Sequence, residues 1–491
     1  MQAKQRLTRR IRSAVPWAFG ESLLSAVASF LTTLAAARFV APDQFGLAAL
    51  AIAVPAIVQS VLLSGPTNAL IRARHVDGRT SDSMLWNLIG LGAVGAVICA
   101  TVAIPFANFY GEPELAGLLA FQGIFGCLMQ GAVSTPSALL SRKMRTRALA
   151  IRTLGQKLAT LIVTAGTAIL GYGAWAIILG STAGLAAAMI VLLMSLPRRP
   201  RLQYSWSESV PMLRLGSLIS LELVAGALTP RVILLIFGRL QGLEALGLLN
   251  FGVRLIDEVA NVLNMSVSRV ALPIFASLRR QNMSVHTAYV LGTRAIVAAS
   301  SPALLGLVAI LPDLVPVVFG ATWLPAVLAT QVVAAAWLLR FTRALAASVL
   351  LSAGRQAPQL LNSWVALAAG TATVLFLGHH DFDVAVWSYA APNFVAVPLG
   401  IYLLARYGGI SIWDQIICAA GPVVASLLMV VGLRYLSAYE LYDMDPILRI
   451  AINIAIGVLF YSAYMLIFER RSLRFLFAAR GGVKPESSES E

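Results

Sequence analysis

Residues 248–273 read LLNFGVRLIDEVANVLNMSVSRVALP. The segment is long and apolar enough to cross a bilayer, which takes about 20 residues of helix. It nevertheless carries Asn250, Arg254, Asp257, Asn261, Asn264 and Ser268, at steps of four, three, four, three and four. At about 100° per residue, these six side chains fall within roughly 40° of one line along a helix. Charged and amide groups inside a membrane are costly unless they face the bundle interior or a water-filled cavity, so the stripe is expected to point inward.

The rest of the chain reads as what surrounds that stripe. Of 491 residues, 58% are hydrophobic and only 12% charged, and the mean hydropathy of +0.80 lies far outside the soluble range. Apolar runs of helix-spanning length recur from end to end, without strand-like alternation, so the class is an all-α integral membrane protein. The net charge of +15 is explained by Lys and Arg gathering in cytoplasmic loops, so the expected environment is the lipid bilayer and no nucleic acid is called for. Cys99, Cys127 and Cys418 lie within expected spans and read as small buried residues. Four scattered histidines make no catalytic or metal cluster, and no metal or cofactor is expected. The basic start, with Arg9, Arg10 and Arg12 before apolar residues, resembles a signal peptide; its apolar stretch is too long and more spans follow, so an uncleaved first helix is expected.

A window of about 20 residues places spans near 13–38, 47–70, 84–108, 114–140, 147–170, 173–195, 212–238, 246–272, 287–311, 324–353, 358–378, 384–405, 414–434 and 446–468. That makes about fourteen transmembrane helices. A cytoplasmic N-terminus puts Arg142, Lys143, Arg145 and Arg147, then Arg198, Arg199 and Arg201, then Arg279 and Arg280, then Arg470, Arg471 and Arg474 on one side. The opposite loops hold Glu112, Glu114, Asp381, Asp383, Glu440, Asp443 and Asp445, so both termini are expected in the cytoplasm.

An internal repeat is visible. Arg38 stands eight residues before Gly46, and Arg239 eight before Gly247; Gly111 precedes Leu115 by four, as Gly320 precedes Leu324; Leu139-Leu140-Ser141 answers Leu350-Leu351-Ser352. The expected organisation is a basic N-terminus at 1–12, a six-helix lobe at 13–195, a second at 210–405, an extra pair of helices at 414–468 and a cytoplasmic tail at 469–491. Six is even, so the lobes insert the same way round, with a pseudo-twofold axis along the membrane normal and a substrate site between them.

Further polar groups fall inside the expected spans: Glu21 in the first, Asn68 ending the second, Glu222 and Arg231 in the seventh, Arg294 in the ninth, Arg340 and Arg343 in the tenth. Together with the stripe they make an interior rich in arginine, suited to an anion, because guanidinium is always charged and grips phosphate with two parallel bonds. Structural roles compete at each position. Arg254 and Glu258 lie at i, i+4 and can neutralise each other. Glu21 and Glu222 can act as glue against an arginine of the facing lobe. Arg231, Arg340 and Arg343 can snorkel to an interface.

Four segments carry a family likeness. Residues 37–47 (ARFVAPDQFGL), 139–150 (LLSRKMRTRALA), 171–176 (GYGAWA) and 319–327 (FGATWLPAV) resemble bacterial oligosaccharide flippases of the polysaccharide-transporter (Wzx-like) family, in the superfamily (MOP) that also holds the lipid II flippase and the multidrug and toxin extruders. The resemblance implies an inner-membrane protein that moves undecaprenyl-diphosphate-linked oligosaccharide units to the periplasmic leaflet by alternating access, alongside other polysaccharide assembly proteins. It puts the diphosphate on Arg254, with Arg231 and Arg294 beside it. The interior position of Arg340 and Arg343 adds them to the diphosphate candidates, and Asn68, Asn250, Asn261 and Asn264 are candidates to meet sugar hydroxyls. Asp257, Glu258, Glu21 and Glu222 are the candidate carboxylates for H+ or Na+ coupling. Many relatives have an acidic residue shortly before the position of Gly238-Arg239; this chain has Arg231-Val232-Ile233, which leaves the coupling ion open. Two other functions stay in view: a multidrug extruder, which wants an acidic cavity, and a membrane enzyme of polysaccharide synthesis, which wants a sizeable catalytic loop.

Overall fold

The computed structural model describes residues 2–73, 76–143, 145–195, 201, 203–280, 284–439, 441 and 444–468; within these, side chains are described except at 2–19, 22, 208, 215, 217–223, 264–274, 276, 277, 279 and 280. Among the described residues there is no strand. The helices are α1 (Gln2–Phe39), α2 (Pro42–Leu62), α3 (Ser64–Arg72), α4 (Gly78–Tyr110), α5 (Pro113–Arg142), α6 (Thr146–Ile169), α7 (Ala174–Ser195), α8 (Trp206–Arg280) and α9 (His286–Leu314), followed by α10 (Ala326–Phe341), α11 (Ala346–Ser352), α12 (Ala357–Leu377), α13 (Phe382–Ala385), α14 (Trp387–Gly408), α15 (Ile412–Tyr439) and α16 (Pro446–Phe468).

Local chemistry sets the ends. Proline starts α2, α5 and α16, where a missing N–H costs nothing. Asp77 caps α4 by accepting from the Thr80 N–H at 2.7 Å, and hydrogen bonding from the Thr80 side chain and then from that N–H holds its carboxyl below the usual carboxylate range. The N-terminus of α7 is capped from a distance: Gln44 Oε1 accepts from the Ala174 N–H at 3.1 Å. Two of the segments singled out by resemblance, 37–47 and 171–176, are thus in direct contact.

Eleven helical stretches among the described residues are long and apolar enough to cross a membrane, and the chain is a multi-pass membrane protein. The fourteen expected spans differ from these at three places. The described apolar part of α1, Leu23–Phe39, is short; α6 carries Arg147, Arg152 and Lys157 and does not qualify; and the expected spans 212–238 and 246–272 run into one 40-residue apolar stretch, Val224–Leu263. That stretch is about 60 Å of helix, twice the hydrocarbon thickness, and it is broken by Gly242 at φ 88°, a conformation only glycine adopts freely. Other boundaries are also corrected. The expected span 47–70 is broken at Leu63, between α2 and α3; 324–353 is interrupted by turns at 342–345 between α10 and α11; and 384–405 begins within the single turn of α13.

The chain divides into two compact units: Met1–Glu258 with Leu328–Thr330 and Ser363–Pro392, and Val259–Val327 with Gln331–Asn362 and Asn393–Glu491. In the first, α4 packs on α5, α6 on α7 and on α1, and α2 and α7 on α5. With no hydrophobic drive between helices in lipid, close backbone approach through small residues does the work. A Cβ on Gly180 would sit 1.9 Å from Thr164 Oγ1 and one on Gly184 2.1 Å from Thr160 Oγ1, so α6 and α7 are joined along a Gly-x-x-x-Gly face. The same logic brings α2 against α8: a Cβ on Gly46 would lie 2.0 Å from the Leu243 carbonyl oxygen, and one on Gly247 1.7 Å from that of Pro42. In the second unit, α9, α15 and α16 pack together, and Ser426 donates to Ser301 at 2.8 Å between α15 and α9.

Candidate functional site

The stripe begins one turn after the crossing of α2 and α8. Because Gly46 and Gly247 let the two backbones touch, the ring of Phe45 comes under the Arg254 guanidinium, 5.1 Å from carbon to ring centroid. Asn250 is 7% exposed and its Nδ2 has no hydrogen-bond partner among the described residues. Arg254, Asp257 and Glu258 are half-buried, whereas Asn261 is exposed. The side chains of Asn264 and Ser268 lie outside the described residues, as does that of Glu222.

Arg254 and Glu258 do not form the internal pair that their spacing allows. Glu258 Oε1 instead takes an ion pair from Lys157 Nζ of α6 at 3.2 Å, with the two side chains 34% and 27% exposed. Among the described residues no carboxylate lies within ion-pair distance of Arg254.

Lys157 is also on the wall of a cavity of about 250 Å³ inside the first unit. Ile52, Pro55, Ala56 and Gln59 of α2, Gln122 and Gln130 of α5, Gln156 and Thr160 of α6, and Ser181 and Leu185 of α7 complete the lining. Gln122 Oε1 accepts from Ser181 Oγ at 3.0 Å and from Thr182 Oγ1 at 3.1 Å, which fixes its amide against α7. The lining is dominated by amides and hydroxyls, which donate and accept hydrogen bonds and carry no charge. Sequence reasoning missed these residues. A signal exists, since Gln59, Gln122 and Gln130 interrupt apolar spans and Gln156-Lys157 sits midway along α6, but the polar groups are spread over four helices, where no single-helix period gathers them.

The other expected site residues are held mostly by their own unit. In the first, Asn68 Nδ2 donates to the Ser64 carbonyl at 2.8 Å. Arg231 turns back onto the carbonyl of Ala227, with Asp257 near enough to attract it. Glu21 is 9% exposed. In the second, Arg340 Nε donates to Asn393 Oδ1 at 3.2 Å and its guanidinium stacks 5.2 Å from the Trp337 ring. Arg343 Nη1 donates to the Ala396 carbonyl at 2.7 Å. With its amide oriented to suit the guanidinium, Asn362 accepts from both Arg343 Nη atoms at 3.2 Å and donates to the same carbonyl at 2.8 Å. Arg294 is half-buried in α9. Among the described residues no group of three or more His, Cys, Asp or Glu is arranged to hold a metal ion.

Comparison with known proteins bears on this geometry. A family model described as polysaccharide biosynthesis protein matches residues 35–328, more than half of the chain and inclusive of all four segments quoted above. The succinoglycan biosynthesis transport protein ExoT of Rhizobium meliloti (strain 1021) is 24% identical over 476 residues, 94% of this chain and 93% of that protein. The lipopolysaccharide biosynthesis protein WzxC of Escherichia coli (strain K12) is 24% identical over 319 residues, 62% of each. Among solved structures, the lipid II flippase MurJ in an inward closed conformation aligns with a TM-score of 0.72 at 14% identity, covering 94% of this chain and 99% of that one. An inward-facing multidrug resistance MATE family transporter of the MOP superfamily aligns with a TM-score of 0.61 at 13% identity, covering 78% and 95%. These structural likenesses concern the fold. The chain, with its half-buried arginine above Phe45 and its polar cavity among apolar helices, belongs to the polysaccharide biosynthesis protein family and has the fold of MOP-superfamily transporters.

Proposed function

We propose that this protein is a flippase that carries undecaprenyl-diphosphate-linked oligosaccharide units across the bacterial inner membrane for surface or exopolysaccharide assembly. The observation that carries this reading is Arg254: a half-buried guanidinium among membrane helices, stacked on Phe45 and without a carboxylate partner among the described residues. A cation in that setting, attracted by Glu258 only from beyond ion-pair distance, is costly and marks a ligand path. A diphosphate supplies the missing charge and accepts the fork of N–H donors. The head group is too hydrated to cross hydrocarbon, whereas the polyprenyl tail prefers it, so a cavity for the head and a lateral opening for the tail suffice.

Alternating access between two repeated lobes, 13–195 and 210–405, completes the reading. Its support is the reciprocal contact at equivalent repeat positions, in which Gly46 meets Leu243 and Gly247 meets Pro42. Glu258, held by Lys157, and Asp257, Glu21 and Glu222 are the carboxylates available for coupling to H+ or Na+. The one-sided distribution of Lys and Arg supports cytoplasmic termini.

The test is deletion of the gene with measurement of lipid-linked oligosaccharide and surface polymer. The expected result is accumulation of the lipid-linked unit and loss of polymer, restored by the wild-type gene. Unchanged lipid-linked units together with new drug sensitivity would overturn the reading in favour of an extruder.

A further inference from the structure

Arg254 answers the anionic part of such a substrate, and beside it only the buried Asn250 amide, among the described residues near it, offers a free uncharged donor. The cavity of the first unit has the chemistry for that. Gln122 is 5% exposed, lines the cavity, and has its Oε1 committed to Ser181 and Thr182. Its Nε2 has no hydrogen-bond partner among the described residues. Gln59 Nε2 has only the Cys127 sulfur, a weak acceptor, at 3.8 Å. Both amide nitrogens flank Gly126, whose Cβ, if present, would lie 3.2 Å from Gln122 Nε2 and 3.5 Å from Gln59 Nε2. The side-chain amides of Gln130 and Gln156 likewise make no hydrogen bond within the described protein.

Four such amides in a wall of membrane helices cost free energy unless water or a ligand satisfies them. A volume of about 250 Å³ holds about eight waters at liquid density, and it falls below the roughly 300–1,000 Å³ of sites that enclose whole drug-sized ligands. It suits one ring of a larger molecule. The single cation in the lining, Lys157, is already neutralised by Glu258, so the wall favours neutral hydroxyls over a second anion. Glu258 is one helical turn, about 6 Å, from Arg254, which puts the cavity beside the diphosphate seat.

We infer that the Gln59–Gln122–Gln130–Gln156 cavity is a subsite for one uncharged sugar ring of the substrate, the ring nearest the diphosphate. This rests on the flippase reading and deepens it. The amides donate to and accept from adjacent ring hydroxyls, and Gly126 keeps two of them side by side.

The experiment compares binding of two lipids to the full-length protein in nanodiscs: undecaprenyl diphosphate, and the same lipid carrying a single hexose. Gln122→Leu and Gln156→Leu should each weaken the hexosyl lipid about tenfold, the worth of one good hydrogen bond, and leave undecaprenyl diphosphate unchanged. Gly126→Ala, which crowds two amides, should show the same selective loss. Arg254→Ala should weaken both lipids. Gln156 is only half-buried, so its variant keeps the test open if the Gln122 variant fails to fold. Equal weakening of both lipids by the glutamine variants, or no weakening, overturns the subsite and leaves the flippase reading standing. Failure of the wild-type protein to bind either lipid overturns both.

Discussion

Arg254 lies in α8 of the first unit and Arg343 in the turn between α10 and α11 of the second, both within apolar stretches, and their surroundings treat them in opposite ways. Arg343 is committed to its own unit, with the Ala396 carbonyl and the Asn362 amide around it and Gly400 beneath, where a Cβ would lie 1.9 Å from the guanidinium. Arg254 has an aromatic face and no hydrogen-bond acceptor among the described residues, and the carboxylate one turn away, which attracts it, is ion-paired with Lys157. Arg343 spends both Nη atoms within its unit, although its buried Nε has no partner among the described residues; a cation gripped by such acceptors stiffens the fold, and one without them is available to a ligand.

The largest expected effect that would break this comparison is on stability. Arg343→Ala leaves a cavity and strips two acceptors, and should lower unfolding stability by about 2–4 kcal/mol, read as a fall in the thermal midpoint of the protein in nanodiscs. Arg254→Ala should move the same midpoint little while removing transport. The reverse pattern would exchange the roles assigned to the two arginines. Next in size is Gly400→Ala, which forces the Arg343 guanidinium aside and should cost about 1–3 kcal/mol by overpacking; the measurement is the same melt, with Arg343→Ala as background, where the penalty should shrink. Smallest is the Lys157–Glu258 pair. A double-mutant cycle of Lys157→Met and Glu258→Gln should give a coupling of about 0.5–1 kcal/mol, as expected for a partly exposed ion pair. A coupling near zero would detach the cavity wall from the stripe.

Much of the architecture was legible in order of residues. The spans announced themselves because a bilayer demands about 20 apolar residues per crossing. Of the expected stripe, the buried start at Asn250 and the half-buried Arg254 and Asp257 follow the single period of one helix, whereas Asn261 is exposed. The errors arose where one rule met another. The break at Leu63 and the turns at 342–345 carry no strong signal in a uniformly apolar run, whereas the expected span 147–170 coincides with α6 even though Lys157 lies at its middle.

What the sequence by itself determined is therefore the class, an all-α membrane protein of many apolar helices, a consequence of hydropathy and helical period. Tertiary structure alone decided which charges are spent and which are free to act. Glu258 is nearer in sequence to Arg254 than to Lys157, yet it pairs with Lys157, 101 residues away, because α6 brings the ammonium to it. The glutamine cavity was hidden for the same reason: its walls come from four helices, and only their packing puts the amides around one space.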